Sequence, residues 1–108
     1  MRRVEVYRNK ELAGVLTEQN TKSYSFRYKD TYYTDPAKQA ISLTLPKTQQ
    51  EYHADHLFPF FFNMLSEGVN RKLQCRALKI DDEDDFGLLA ATARYDTIGA
   101  VTVKSIAS

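Results

Sequence analysis

The chain has one cysteine, four widely separated glycines, no real excess of either charge and no apolar run long enough to cross a bilayer. Cys75 has no partner within the chain, so a disulfide scaffold is excluded, and a lone thiol suits a reducing cytoplasm. Gly14, Gly68, Gly87 and Gly99 stand too far apart to write a dinucleotide fingerprint or a phosphate-cradling loop. A formal net charge of +1 supplies no field that would draw the protein onto nucleic acid or an anionic membrane. The N-terminus reads Met-Arg-Arg-Val-Glu with no apolar stretch behind it, so no secretory leader is expected and the expected location is cytoplasmic. At 108 residues the chain is long enough for one domain, 1–108, whose core needs neither metal nor disulfide.

What the chain does have is an aromatic cluster. Leu57, Phe58, Phe60, Phe61, Phe62, Met64 and Leu65 leave almost no polar face, so the spacing predicts a short helix over 55–66 that is covered on nearly all sides. Asp55 is placed to cap it, Pro59 to sit in its first turn and Gly68 to end it. Before it, alternation predicts strands near 3–8 and 11–17 joined at Asn9-Lys10, then a strand at 23–29 carrying Tyr24, Phe26 and Tyr28 on one face. Residues 30–38 read as a surface loop with exposed Tyr32 and Tyr33. Ile41, Leu43 and Leu45 alternate with Ser42 and Thr44, predicting a strand at 41–45 that Pro46 ends, with polar 47–51 as a connector.

After the aromatic cluster, Val69, Leu73, Ala77 and Ile80 share one helical stripe, which predicts a helix over 69–79 with Cys75 and Leu78 off the core-facing side. Either that helix breaks near Ala77 or a second face is partly covered. The acidic run 81–85 supplies a cap and first turn for a third helix, 83–93, with Phe86, Leu89, Ala90 and Ala93 inward. A closing strand is expected at 99–104. Strands, helices, then a strand make the fold class α+β, a small antiparallel sheet packed with about three helices.

Few residues suggest chemistry. His53 and His56, with Asp55 between them, could present two imidazoles to a metal, but the spacing offers no third ligand. Cys75 lies among basic residues without a turn to expose it, which suits a structural thiol. The acidic run lacks the glycine and alternating oxygens of a calcium loop and serves better as a solvated helix start. Arg71, Lys72, Arg76 and Lys79, with Tyr32 and Tyr33, could contact nucleic acid, against which the near-neutral charge argues. No cofactor and no catalytic residue is indicated.

Four stretches, in order, resemble the N-terminal subdomain of the HipA toxin kinases. They are Ser42-Leu43-Thr44-Leu45-Pro46, the run from Leu57 to Gly68, Asp84-Asp85-Phe86-Gly87-Leu88-Leu89, and Asp96-Thr97-Ile98-Gly99-Ala100-Val101. The resemblance covers nearly the whole chain and implies a small antiparallel sheet or partial barrel packed by helices. In such kinases a larger catalytic region follows, and it has no counterpart within these 108 residues. A separate chain of this kind is similar to the small third component of HipBST toxin–antitoxin systems, whose kinase toxin HipT lacks the subdomain. The resemblance therefore implies an antitoxin-like binding protein rather than an enzyme, with a HipT-like kinase as partner and a HipB-like DNA-binding protein in a ternary complex. Two alternatives are a structural subdomain cut from a longer HipA-type kinase and an accessory subunit of a repressor complex. The contact expected to reach the kinase is Met64, Leu65, Ser66, Glu67 and Gly68, because it leaves a rigid aromatic element carrying two large flexible apolar side chains.

Overall fold

The protein is described by a computed structural model that covers residues 2–20, 22–65, 68–92 and 101–105. Strand β1 (Arg2–Arg8) buries Val4 and Val6 by simple alternation, then turns through Asn9 and Lys10 into β2 (Glu11–Asn20). Both turn residues have positive φ, 51° and 68°, the mirror-image turn whose twist matches a two-residue hairpin. Strand β3 (Ser23–Tyr28) buries Tyr24, Phe26 and Tyr28, as period two requires. Strands β4 (Glu51–Ala54) and β5 (Val101–Ser105) complete an antiparallel five-stranded sheet of order β4-β3-β2-β1-β5. The helices are α1 (Asp30–Tyr33), α2 (Pro59–Phe62), α3 (Gly68–Leu78) and α4 (Asp85–Thr92). The α+β class and the antiparallel sheet are as expected, and β5 does return to pair with β1, Val6 opposite Val103.

Gly14 is fixed by its neighbours. It lies opposite Val6 on one side and Tyr28 on the other, and a Cβ there would stand 2.4 Å from the Arg27 carbonyl oxygen and 2.8 Å from Phe26 Cζ. Only glycine lets β2 approach that closely.

Two expected elements change place. Residues 41–45 are a turn, not a strand: Ile41 and Leu45 are buried, but Leu43 between them is 99% exposed. Hydroxyls take the backbone groups that a ladder would have used. Thr44 N–H donates to Ser42 Oγ, and Tyr28 Oη accepts from Ile41 N–H while donating to the Leu45 carbonyl. The fourth strand of the sheet is β4 instead, which starts at Glu51, the last residue of the stretch read as a connector, and pairs Phe26 with Tyr52 and Tyr24 with Ala54. Glu51 and His53 alternate outward, a polar pattern suited to the edge of a sheet.

The helix expected at 55–66 is one turn, Pro59–Phe62. Phe58 has φ −56° and ψ 137°, the extended conformation that a following proline imposes, so the helix cannot start earlier. Asp55 therefore caps nothing and pairs with His56. Beyond Phe62 the chain tightens through i to i+3 bonds, Met64 N–H to Phe61 O and Leu65 N–H to Phe62 O. The region expected as a loop at 30–38 contains α1, and Tyr32 is buried there, its ring stacked on Tyr28 at 5.9 Å and its hydroxyl donating to the Gln39 carbonyl.

The expectation for α3 is reversed. Cys75 is the buried residue, while Leu73 and Ala77 of the presumed core stripe face solvent. The helix does not break at Ala77. It ends with Lys79 at φ 57°, Ile80 N–H bonding Cys75 O and Lys79 N–H bonding Arg76 O, a Schellman closure with lysine where glycine is usual. Helix α4 begins at Asp85, with Asp84 as its cap, and buries Phe86, Leu88 and Leu89. Ala93 lies outside the described residues.

Two predictions come from this core. Phe61 is fully buried, so Phe61→Ala should cost about 3–5 kcal/mol, read as a shift of the urea midpoint. Tyr28→Phe strands the Ile41 amide and Leu45 carbonyl and should cost about 1–3 kcal/mol at neutral pH. Burial pushes the Tyr28 hydroxyl from an ordinary value near 10 up to about 12. The fold holds the protonated phenol, so that contribution is complete below about pH 10 and is lost as pH rises through about 12. Between those values the wild-type protein should lose more stability than Tyr28→Phe, measured by denaturation at each pH.

Candidate partner-binding surface

The helical side of the molecule is held to the sheet by arginines. Arg2, at the start of β1, donates to both carboxylate oxygens of Asp84 at 2.9 and 2.7 Å and, through Nε, to Glu18 at 2.7 Å. Its guanidinium lies over the Phe86 ring, 5.2 Å from the centroid, and Tyr24 donates its hydroxyl to the other oxygen of Glu18. Asp84 in turn caps α4 by accepting the Gly87 amide. The hydrogen bond from Arg2 holds the Asp84 carboxyl below the usual carboxylate range, and the Asp84 carboxylate raises the guanidinium in return. Burial, then the Glu18 charge, pushes the Tyr24 hydroxyl up.

Arg71 does for α3 what Arg2 does for α4. It donates to the Asp82 carbonyl and to the Asp85 carboxylate, so the acidic run does offset a cation of the preceding helix. Between these ties, His56, Leu57, Pro59, Phe62, Asn63 and Asp85 line an open, mainly apolar depression of about 300 Å³. Phe62 is 41% exposed at its edge, so the aromatic cluster is not covered on every side. The neighbouring Met64 and Leu65 are buried, packed into the core, and Gly68 opens α3. Ser66 and Glu67 lie outside the described residues.

The other sequence candidates are dispersed. His53 is on the edge strand and His56 beyond it, both exposed, and His56 is paired with Asp55 at 2.6 Å, which lowers the Asp55 carboxyl. Among the described residues no three His, Cys, Asp or Glu side chains gather to hold a metal ion. Burial pushes the Cys75 thiol up, away from the reactive thiolate. Tyr32 cannot stack a base because its face is already taken by Tyr28, and Lys47 donates to the Asp35 and Lys38 carbonyls. No described helix is long and apolar enough to cross a membrane. The Arg2 network, the Tyr28 clamp and the outward face of α3 were missed. The first two join residues far apart in sequence; the third, Leu73 with Ala77, was visible as a stripe but assigned to the wrong side.

The comparisons agree with this architecture. The family profile of the HipA N-terminal domain matches residues 4–104. The chain belongs to the HipA N-terminal domain family. A solved structure described as the N-terminal domain of HipA toxin superposes with a TM-score of 0.73 at 26% identity, covering 100% of this chain and 95% of that one. An uncharacterised protein of Haemophilus influenzae is 30% identical over 94 residues, 87% of this chain and 83% of its own length. A putative kinase of Sinorhizobium fredii, Y4mE, is 26% identical over 89 residues, which are 82% of this chain but 21% of the kinase. In this HipA N-terminal domain, then, the first three stretches that carry the resemblance fall on the Tyr28-clamped turn, the aromatic cluster and the capped start of α4, and of the fourth only Val101, the first residue of β5, lies within the described residues.

The Asp84 cap is open to test. Alanine is normally favoured over glycine inside a helix by about 1 kcal/mol, yet a Cβ on Gly87 would stand 2.2 Å from Asp84 Oδ2 and 3.1 Å from Arg2 Nη1. Gly87→Ala should therefore lower the melting temperature, by prying Arg2 and Asp84 apart. Because the folded Asp84 value is depressed, its contribution is present above about pH 4 and lost as pH falls through the lower folded value. Asp84→Asn should flatten the acid limb of the stability curve below about pH 4, followed by thermal melts across pH.

Proposed function

We propose that this HipA N-terminal domain is a HipS-like, antitoxin-type binding protein that docks on a HipT- or HipA-type serine/threonine kinase and restrains it by occupying its surface near the active site. The observation that carries this reading is the pairing of two relatives. The fold is that of the N-terminal domain of a HipA toxin, and a putative kinase carries a matching stretch as 21% of its length. A unit that is joined to a kinase in one chain keeps a complementary surface when it is supplied by another. Inhibition by occupancy needs no catalytic group, and it does need a contact of roughly 1,200–2,000 Å². Apolar side chains left in solvent, Leu43, Phe62, Leu73 and Leu78, offer anchors for it. A HipB-like DNA-binding protein would join through the kinase, since a net charge of +1 gives this chain little hold on DNA of its own.

The segment Met64, Leu65, Ser66, Glu67 and Gly68 is the proposed contact nearest the kinase cleft. With Met64 and Leu65 packed inward, the polar pair Ser66 and Glu67 is the part to alter without emptying the core. The same 21% share also favours a second reading, a purely structural subdomain of a longer kinase.

Co-purification with the HipT-like kinase, followed by a phosphorylation assay with and without the chain, separates these readings. A stable complex with suppressed phosphorylation is expected, and a Ser66→Ala/Glu67→Ala double variant should bind at least about tenfold more weakly, a loss of about 1.4 kcal/mol. A complex of full activity would leave only the structural reading, and unchanged affinity of the double variant would take this segment out of the contact.

A further inference from the structure

Helix α3 is turned inside out relative to its own sequence pattern. Of its side chains between Asn70 and Leu78, only Cys75 is buried, whereas Leu73 is 56% exposed and Leu78 46% exposed. Leu73 and Ala77 stand four residues apart on one face, whereas Leu78, five residues beyond Leu73, lies well around the helix on the flank toward Cys75. Along the other flank of Leu73 run Lys72, Arg76 and Lys79, all exposed. Among the described residues none of these three makes an ion pair, although Arg71, on the inward side of the same helix, is paired with Asp85. Carboxylates are close in sequence, at Asp81, Asp82 and Glu83, yet the helix ends in a left-handed lysine and keeps its three cations free of them.

An isolated helix of this length is marginal in water, and most helical stability comes from packing an apolar face. Among residues 70–78 this one buries a single cysteine and leaves Leu73 and Leu78 largely in solvent. We infer that the outward face of α3 is a docking surface for an apolar patch rimmed by Asp and Glu side chains on the kinase body, Leu73 entering the patch beside Ala77 and Lys72, Arg76 and Lys79 meeting the carboxylates. Charge complementarity selects that occupant: three cations without an ion pair beside Leu73 disfavour both a basic partner surface and a second copy of the same face. The inference rests on the proposed function, because it names which surface of this chain the kinase takes.

The test uses the full chain, the HipT-like kinase, and two variants, Leu73→Ser and Lys72→Glu/Arg76→Glu. All the altered side chains are solvent-exposed, so both variants should melt with the wild type. Each is expected to bind the kinase at least tenfold more weakly by calorimetry in 0.1 M salt. For the charge variant the difference from wild type should narrow in 0.5 M salt, as screening removes what the cations contribute. Wild-type affinity in both variants would overturn this docking surface while leaving kinase inhibition by the chain intact. Failure of the wild-type chain to bind the kinase would overturn both. A dimer of the chain alone that Leu73→Ser dissociates would assign the face to a second copy and overturn the kinase as its occupant.

Discussion

Phe61 meets Phe26 with ring centroids 5.9 Å apart, and this contact ties the one-turn helix α2 to the middle of the sheet. A single turn of helix has no stability of its own, because fixing its first dihedrals gains one hydrogen bond at most. Its position is set instead by rings: Phe58 and Phe60 pack edge-on against Phe61, and Phe26 packs edge-on against Tyr28. From there the order spreads by one hydroxyl. Tyr28 holds both ends of the 41–45 turn and stacks on Tyr32, so the core ring of β3 also fixes the two loops that flank it.

The ion pairs act differently. Arg2 bridges β1 to the cap of α4, far apart in sequence, and Arg71 joins the consecutive helices α3 and α4; Arg2 is almost half exposed, and a pair of that kind contributes about 0–1 kcal/mol. Burial of a Phe or Leu side chain contributes about 1.5–3 kcal/mol, so the core decides that the chain folds. The arginines decide how the helices sit once it has. Arg2 engages Asp84 with two parallel bonds, a geometry that fixes direction as well as distance. Because Asp84 also caps α4, one side chain sets both the start of that helix and its place beside β1.

The sequence was legible wherever one face of an element is dry and the other wet. β1 alternates cleanly, and β2 and β3 do so less strictly, with Glu18 and Ser25 covered beside the apolar side chains that meet the core. The 41–45 stretch alternates as well, but Ser42 and Thr44 carry hydroxyls that satisfy the backbone locally, and the same pattern then folds as a turn. β4 was hidden for the opposite reason: an edge strand with polar outward residues has little apolar signal to show. Pro59 shortened the aromatic helix through the conformation of Phe58, an effect written in the sequence but outweighed there by the run of phenylalanines. Of the proposed contact, the sequence showed its apolar chemistry at Met64 and Leu65, and the structure adds that both side chains already have a core to fill.

Periodicity states which residues share a face; it does not state which side of the helix the core is on. α3 makes the distinction plain, since Leu73 and Ala77 share a face as their spacing requires, and that face looks outward. The perturbed titrations tell a matching story. Arg2, Asp84, Tyr24 and Tyr28 are shifted by partners and burial that the fold itself needs, and they do not converge on a cleft. Here the electrostatic work is spent on holding helices to a sheet, while apolar side chains and unpaired cations are left on the outside.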